Sequence, residues 1–202
     1  LQALELLSKE LWLKKGDWYL AGGTALALHA GHRQSVDLDF FTPRGTFSVG
    51  PLLDHFKQKK WVTSHAEKGT IFGTLLGAKI SFIAYSFFTY REKPLWFGSV
   101  RVLMPQDIAV MKLIAISQRG RKRDFVDLFW YVKHHEPLIA VIKKLQNQYP
   151  TVAHNYHHIL ESMIYFEDAE TDPMPNLFFT ANWKDIKAYF QKEVPRIARE
   201  LL

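Results

Sequence analysis

Two closely spaced carboxylates are the residues of this chain best suited to carry chemistry. Asp37 and Asp39 flank Leu38 in a stretch, residues 36–41, that alternates acidic and apolar side chains as a strand does. On a strand both carboxylates project from one face, with Cα atoms about 7 Å apart. Such a pair repels unless a cation lies between the charges. The spacing predicts a divalent-metal site; an exposed strand end with two solvated carboxylates is the alternative.

A glycine pair followed by threonine could hold phosphate. Gly22 and Gly23 carry no Cβ atom, so the backbone there can approach a phosphate closely. Residues 25–30 predict a helix with Thr24 as its N-cap, and a helix N-terminus presents free N–H groups and the positive end of a dipole. A strand-to-helix turn would use the same residues for geometric reasons alone.

The hydrophobic pattern predicts which elements position these residues. Residues 1–15 have the spacing of one amphipathic helix, and strands are expected at 17–21, 36–41, 61–66, 70–76, 79–85 and 99–103. They would form a mixed sheet of about five strands. Helices are expected at 51–60, 105–117, 124–134, 138–148, 151–166 and 182–201, with a loop or hinge at 168–175. The fold class is therefore α+β, with a mixed β-sheet core, flanking helices and a mainly helical C-terminal half.

Composition narrows the range of partners. Lys and Arg outnumber Asp and Glu by 26 to 20, and the net charge of +6 favours a polyanion such as a nucleotide or RNA. Four basic residues among positions 119–123 could bind RNA phosphates. The chain has no cysteine, which excludes disulfides and thiolate metal sites and fits a cytoplasmic setting. No apolar run approaches the roughly 20 residues of a membrane span, so no membrane partner is expected.

Two blocks of sequence resemble a known family. Gly22-Gly23-Thr24-Ala25-Leu26-Ala27-Leu28 and Gly31-His32-Arg33-Gln34-Ser35-Val36-Asp37-Leu38-Asp39-Phe40-Phe41 are similar to the AbiEii/AbiGii toxins, which are DNA polymerase beta-like nucleotidyltransferases. The helix at 107–116, which contains Lys112, and Arg123-Asp124-Phe125-Val126-Asp127-Leu128 resemble the family's later lysine helix and its Arg-Asp…Asp-Leu motif. The resemblance runs from about residue 19 to 131.

The resemblance implies a nucleotidyltransferase-like α/β core in residues 1–104 and a helical region, 105–202, that completes the active-site cleft. It implies Mg²⁺, or Mn²⁺, at Asp37 and Asp39. Nucleotide binding is expected at Gly22, Gly23, Thr24, Arg33 and Ser35. Lys112 would neutralise phosphate charge. Asp124 would hold Lys112 or activate a hydroxyl, and would also cap the helix at 124–134.

The implied function is transfer of a nucleoside monophosphate from an NTP to an RNA or protein hydroxyl, by a type IV toxin with a cognate antitoxin. One residue departs from the superfamily pattern, which usually places a third carboxylate on a later strand. On the strand at residues 79–83, Ser81 occupies the position where that carboxylate would be expected. A catalytically degenerate nucleotide- or protein-binding module therefore stays an alternative, as does a small-molecule nucleotidyltransferase of the antibiotic-modifying kind.

Overall fold

The structure, a computed structural model, describes residues 2–202 and falls into two compact units. The first unit comprises the chain up to Ala25 together with Ser35–Met104. The second comprises Leu26–Gln34 and Pro105–Leu202. The predicted contiguous division at residue 104 thus differs in one segment, residues 26–34. That the two halves act as domains, with the second completing an active-site cleft, stays a prediction. Among residues 2–202, no helix is both long and apolar enough to cross a membrane.

The first unit is built on a seven-stranded mixed sheet. Helices α1 (Gln2–Ser8) and α2 (Leu11–Lys15) precede β1 (Tyr19–Ala21), and α3 (Gly22–Ala30) follows β1 directly. Only residues 22–25 of α3 belong to this unit. Its remaining elements are β2 (Leu38–Thr42), α4 (Val49–Asp54), β3 (Trp61–Glu67), β4 (Thr70–Leu75), β5 (Ala78–Ala84), β6 (Leu95–Phe97) and β7 (Val100–Val102).

The strand order is β3-β4-β5-β2-β1-β7-β6, so β2 is the central strand and β1 lies next to it. β2 pairs antiparallel with β1 and parallel with β5. Along β2 the side chains of Leu38 and Phe40 are buried and that of Asp39 is half-buried, which is the predicted alternation. Phe40 stacks on Phe82 of β5, with ring centroids 5.2 Å apart. Burial of this aromatic layer fixes the register that decides where Asp39 projects.

The second unit is helical. It contains α5 (Pro105–Arg119), α6 (Lys122–His134), α7 (Leu138–Lys143), α8 (Leu145–Gln148), α9 (Tyr156–Ser162), α10 (Glu167–Glu170) and α11 (Trp183–Leu201). Buried apolar side chains of α5, α6 and α11 include Leu113, Phe125 and Phe190, and the last two rings meet edge to face. Pro195 lies inside α11, which nevertheless runs as a single helix.

Several predicted bounds were wrong for local reasons. The helix expected over residues 1–15 divides into α1 and α2, and Leu1 lies outside the described residues. The sheet has seven strands rather than about five. β6 was missed because its three residues are all exposed and show no alternation. The helix predicted at 51–60 ends at Asp54 in the structure. Within the helix predicted at 151–166, only α9 is helical, and α10 occupies part of the loop predicted at 168–175.

Two predicted helix caps were also wrong. α3 begins at Gly22, so Thr24 lies inside the helix rather than at its N-cap. α6 has Arg121 at its N-cap, with no side-chain capping bond, and Asp124 lies within its first turn. Each side chain makes other contacts, described below.

Candidate active site

The Gly22 turn and the Asp39 carboxylate lie against each other in the first unit. Because β1 and β2 are antiparallel with Ala21 opposite Asp39, the end of β1 comes next to the start of β2. The chain turns into α3 at Gly22 with a φ of +72°, a conformation that favours glycine. A Cβ atom at Gly22 would stand 2.8 Å from Asp39 Oδ2. Glycine is needed at this position both for the backbone conformation and to make room for the carboxylate.

The segment that leads into β2 is hydrogen-bonded to the first turn of α3. The buried Thr24 hydroxyl contacts the carbonyl oxygen of Asp37 and lies 2.9 Å from Ser35 Oγ. Because the hydroxyl has a single proton, it can donate to the carbonyl while Ser35 donates to it. These bonds fix the backbone that carries Asp37. Phosphate contacts by Thr24, Ser35 and Gly23 stay predictions.

Ser81 stands directly beside Asp39, at the place where a third carboxylate was expected. The two residues face each other in the parallel register of β2 and β5, and Ser81 Oγ donates to Asp39 Oδ1 at 2.6 Å. Within residues 2–202, no group of three or more His, Asp or Glu side chains has the geometry of a metal site. The acidic set here is therefore the pair Asp37 and Asp39.

This pair suits a magnesium ion that is shared with a bound nucleotide. Mg²⁺ is commonly held by one or two carboxylates together with substrate phosphates and water, rather than by a full cage of protein ligands. Asp37 and Asp39 are both half-buried and provide hard oxygen donors. The Ser81 hydroxyl orients Oδ1 of Asp39 without removing the carboxylate charge. The donor set fits Mg²⁺ or Mn²⁺, and occupancy by either stays a prediction.

A second cluster of charged side chains is buried in the helical unit. Lys112 of α5 lies between two carboxylates of α6, with Nζ 2.6 Å from Asp124 Oδ1 and 2.6 Å from Asp127 Oδ2. Arg33 donates to Asp127 through Nε at 2.6 Å and Nη2 at 2.9 Å. His32 Nε2 is 2.7 Å from the same carboxylate. Asp127 is thus the centre of a network that sequence reasoning did not single out.

The charges of Lys112, Asp124 and Asp127 keep these three groups ionised. Burial alone would raise the pKa of Asp124, but the charges of Lys112 and Arg119 outweigh it and hold that pKa below its usual range. Burial would likewise lower the pKa of Lys112, yet the two carboxylates hold it above its usual value. A carboxylate with a depressed pKa is a weak proton acceptor at neutral pH. Of the two roles predicted for Asp124, the geometry therefore suits holding Lys112 better than activating a hydroxyl.

The predicted site residues thus form two groups. Gly22, Gly23, Thr24, Ser35, Asp37 and Asp39 belong to the first unit, and Arg33, Lys112 and Asp124 to the second. Lys112 and Arg33 are buried and paired with carboxylates, so direct phosphate contact by either stays a prediction. The signal that could have identified Asp127 is its spacing of three from Asp124, which puts both carboxylates on one face of a helix.

A family model decides what kind of protein this is. The model described as nucleotidyl transferase AbiEii toxin, type IV TA system, matches residues 6–75 and 79–200. The chain belongs to the AbiEii toxin family. An uncharacterized protein of Aquifex aeolicus (strain VF5) is 34% identical to this AbiEii family member over 185 residues, which cover 88% of this chain and 86% of the relative.

Solved structures share the fold. JHP933 from Helicobacter pylori is similar to this AbiEii family protein with a TM-score of 0.56 and 16% identity, over 98% of this chain and 91% of that one. MenT4, a nucleotidyltransferase toxin from Mycobacterium tuberculosis H37Rv, gives a TM-score of 0.54 and 14% identity, over 97% and 83% of the two chains. The seven-stranded mixed sheet with a helical C-terminal half is thus a nucleotidyltransferase-like fold, and the predicted α+β class is confirmed.

Proposed function

We propose that this AbiEii family protein transfers a nucleoside monophosphate from an NTP to a hydroxyl group of an RNA or a protein. The acceptor oxygen would attack the α-phosphate in line, forming a new P–O bond as the bond to the β-phosphate breaks; pyrophosphate leaves and the hydroxyl proton passes to water. The observation that carries the proposal is the close approach of Gly22 to Asp39. A backbone able to meet phosphate and a carboxylate able to hold a metal lie side by side, as phosphoryl transfer requires.

Each site residue of the first unit has a part in this scheme. The Gly22 and Gly23 backbone at the start of α3 would bind the triphosphate through N–H groups. Asp37 and Asp39 would hold Mg²⁺, which when bound neutralises charge that develops on the phosphoryl oxygens. Thr24 and Ser35 keep the backbone of Asp37 in place, and Ser81 orients the Asp39 carboxylate. A cognate antitoxin and a cytoplasmic setting belong to the same proposal.

The test is incubation of the protein with each α-labelled NTP, Mg²⁺ and total cellular RNA and protein, to see which material becomes labelled. Asp39→Asn is the informative variant because Asn keeps an oxygen that can accept from Ser81 while losing the charge. We expect label transfer to fall at least about 100-fold. Asp54→Asn, the same change on an exposed residue of α4, is the matched control and should leave transfer unchanged. Full activity of Asp39→Asn would refute the assignment.

A second candidate function rests on Ser81, whose hydroxyl stands where a third acid would be. Loss of that acid could leave a module that binds nucleotide without turning it over. In that case the protein would bind a fluorescent NTP in a Mg²⁺-dependent manner, and Asp39→Asn would weaken this binding, but no acceptor would become labelled. Label in any RNA or protein fraction excludes this candidate.

A further inference from the structure

A cavity of about 280 Å³ with aromatic walls lies in the first unit, beside the end of β2. The rings of Trp12, Trp18 and Phe47 line it together with Thr42, the last residue of β2. Trp18 is buried and meets Phe47 edge to face, with ring centroids 5.0 Å apart, so this wall is anchored in the core. Thr42 follows Asp39 by three residues on β2, a separation of about 10 Å along a strand. The cavity is therefore separate from the carboxylate pair described above.

Four cationic residues lie around a single carboxylate beside this cavity. Arg44, which lines the cavity, donates to Asp17 Oδ2 through Nη2 at 3.2 Å, and Arg101 donates to Oδ1 through Nη2 at 3.0 Å. Lys14 and Lys15 are exposed, and their carbonyl oxygens accept from the same two guanidinium groups. The hydrogen bonds from Arg101 and Arg44 hold the pKa of Asp17 below its usual range, so the carboxylate is charged at neutral pH. Even so, an excess of positive charge remains.

The excess charge is accessible to a ligand. The side chain of Arg44 is 55% exposed, and its Nε and Nη1 atoms donate no hydrogen bond to any of residues 2–202. The acids next to the segments that line the cavity are paired with other lysines: Glu10 with Lys59 at 2.8 Å, and Asp54 with Lys57 at 2.8 Å. An anion at the cavity would therefore find free guanidinium donors and no competing carboxylate on Arg44 besides Asp17.

We propose that the cavity binds one base of a single-stranded RNA, with the adjoining phosphates on Arg44 and Arg101. An unstacked base is planar and stacks on aromatic side chains, and the planar donors of a guanidinium match two phosphate oxygens at once. The aromatic walls and the cations beside them are thus the two parts that bind a nucleotide unit of a single strand. Binding itself requires no turnover; that the bound RNA is the acceptor rests on the proposed function.

The cationic surface is longer than the cavity, and this favours a strand over a free nucleotide. Beyond Asp17 it continues to Trp96 of β6, which is 46% exposed. Arg101 and Lys14 each lie 5.2 Å from the centroid of that ring. A mononucleotide would fill the cavity and leave this part of the surface unused. An acidic peptide would match the cations but has no base for the aromatic cavity.

The experiment measures binding of a short labelled single-stranded RNA, and of an abasic strand of the same length, by fluorescence anisotropy. EDTA is present and NTP is absent, so the carboxylate pair holds no metal. Ser48→Leu narrows the cavity, because Ser48 lines it and its side chain makes no capping bond at the start of α4. Ser64→Leu, the same change on an exposed residue of β3, is its control. Arg44→Gln removes a phosphate contact, and Lys60→Gln removes an exposed charge just before β3 as its control.

Wild type should bind the RNA about 5- to 150-fold more tightly than the abasic strand, which is the contribution of one stacked base. Ser48→Leu should remove most of that preference and leave binding of the abasic strand unchanged. Arg44→Gln should weaken binding of both strands and lower the slope of log affinity against log salt concentration by about 0.7, the value for one phosphate contact of a single strand. Both controls should bind the two strands as wild type does.

The proposal is overturned if Ser48→Leu keeps the preference for the base-bearing strand, or if Arg44→Gln binds as Lys60→Gln does. A mononucleotide that competes as well as the RNA would make the cavity a site for free nucleotides, and equal competition by a polyglutamate peptide would make the surface a site for acidic proteins. Either result excludes RNA as the ligand. If RNA binds here but no RNA or protein becomes labelled, the proposed function alone is refuted. If RNA is labelled and both variants label and bind it as wild type does, this site alone is refuted.

Discussion

Replacement of Gly22 by alanine tests whether the close approach to Asp39 matters for activity. Two costs add at this position. An L-residue at a φ of +72° costs about 1–2 kcal/mol of stability. The added Cβ would also stand 2.8 Å from Asp39 Oδ2, closer than van der Waals contact, so the carboxylate must move by several tenths of an ångström or more. A misplacement on this scale in a catalytic group lowers turnover by up to about 100-fold.

Gly77 separates these two costs. It belongs to the same unit, has a φ of +80°, and has no atom within 4 Å of the position that a Cβ would take. Gly77→Ala should therefore lose about 1–2 kcal/mol in denaturant unfolding and keep full label transfer. Gly22→Ala should lose at least as much stability and most of its transfer. If Gly22→Ala retains the activity of Gly77→Ala, the contact with Asp39 has no catalytic meaning and the reasoning fails.

Three further outcomes follow from the two clusters. Ser81→Asp adds a carboxylate beside Asp39, so the melting temperature should fall without metal and recover more with Mg²⁺ than in wild type; an unchanged Mg²⁺ response would count against a metal there. Lys112→Met leaves Asp124 and Asp127 buried without their shared cation and should cost about 3–5 kcal/mol in denaturant unfolding, whereas a loss under about 1 kcal/mol would contradict the pairing. Because the pKa values of both carboxylates are held below their usual range, the stability they contribute is complete above about pH 4 and is lost as the pH falls further. Unfolding measured at pH 3 and pH 7 should show that loss, and Asp127→Asn should reduce it.

The sequence predicted the order of the elements around Asp39 because local patterns determine them. Alternation along residues 36–41 predicts a strand with one buried face, and Gly22 and Gly23 predict that the chain turns from β1 into a helix. β6 has no such pattern, since a three-residue edge strand needs no buried face to pair with β7. Thr24 was predicted as an N-cap because residue type alone is the basis of that prediction. Its hydroxyl bonds instead to the Asp37 carbonyl oxygen, and this contact depends on the position of the segment that leads into β2 relative to α3.

The burial of Lys112 and Asp124 could not be predicted from either residue's own segment. A lysine on an amphipathic helix is ordinarily exposed, and a single aspartate in a first turn ordinarily interacts with the helix end. Both expectations fail because α5 and α6 pack so that their charged side chains meet inside the unit. Such an arrangement is tolerated only where every charge finds a partner, and the partners come from separate parts of the chain.

The same network joins the two blocks of sequence that resemble the family. His32 and Arg33 belong to the first block and Asp127 to the second, and they meet in three buried contacts of 2.6 to 2.9 Å within one unit. The segment that holds His32 and Arg33 also pairs with residues 176–178: Gln34 N donates to the carbonyl oxygen of Asn176, and Phe178 N donates to that of His32. Loss of either partner would remove buried, charge-assisted hydrogen bonds and should destabilise the unit. The two blocks are therefore physically coupled in this chain, through the contacts of His32 and Arg33 with Asp127.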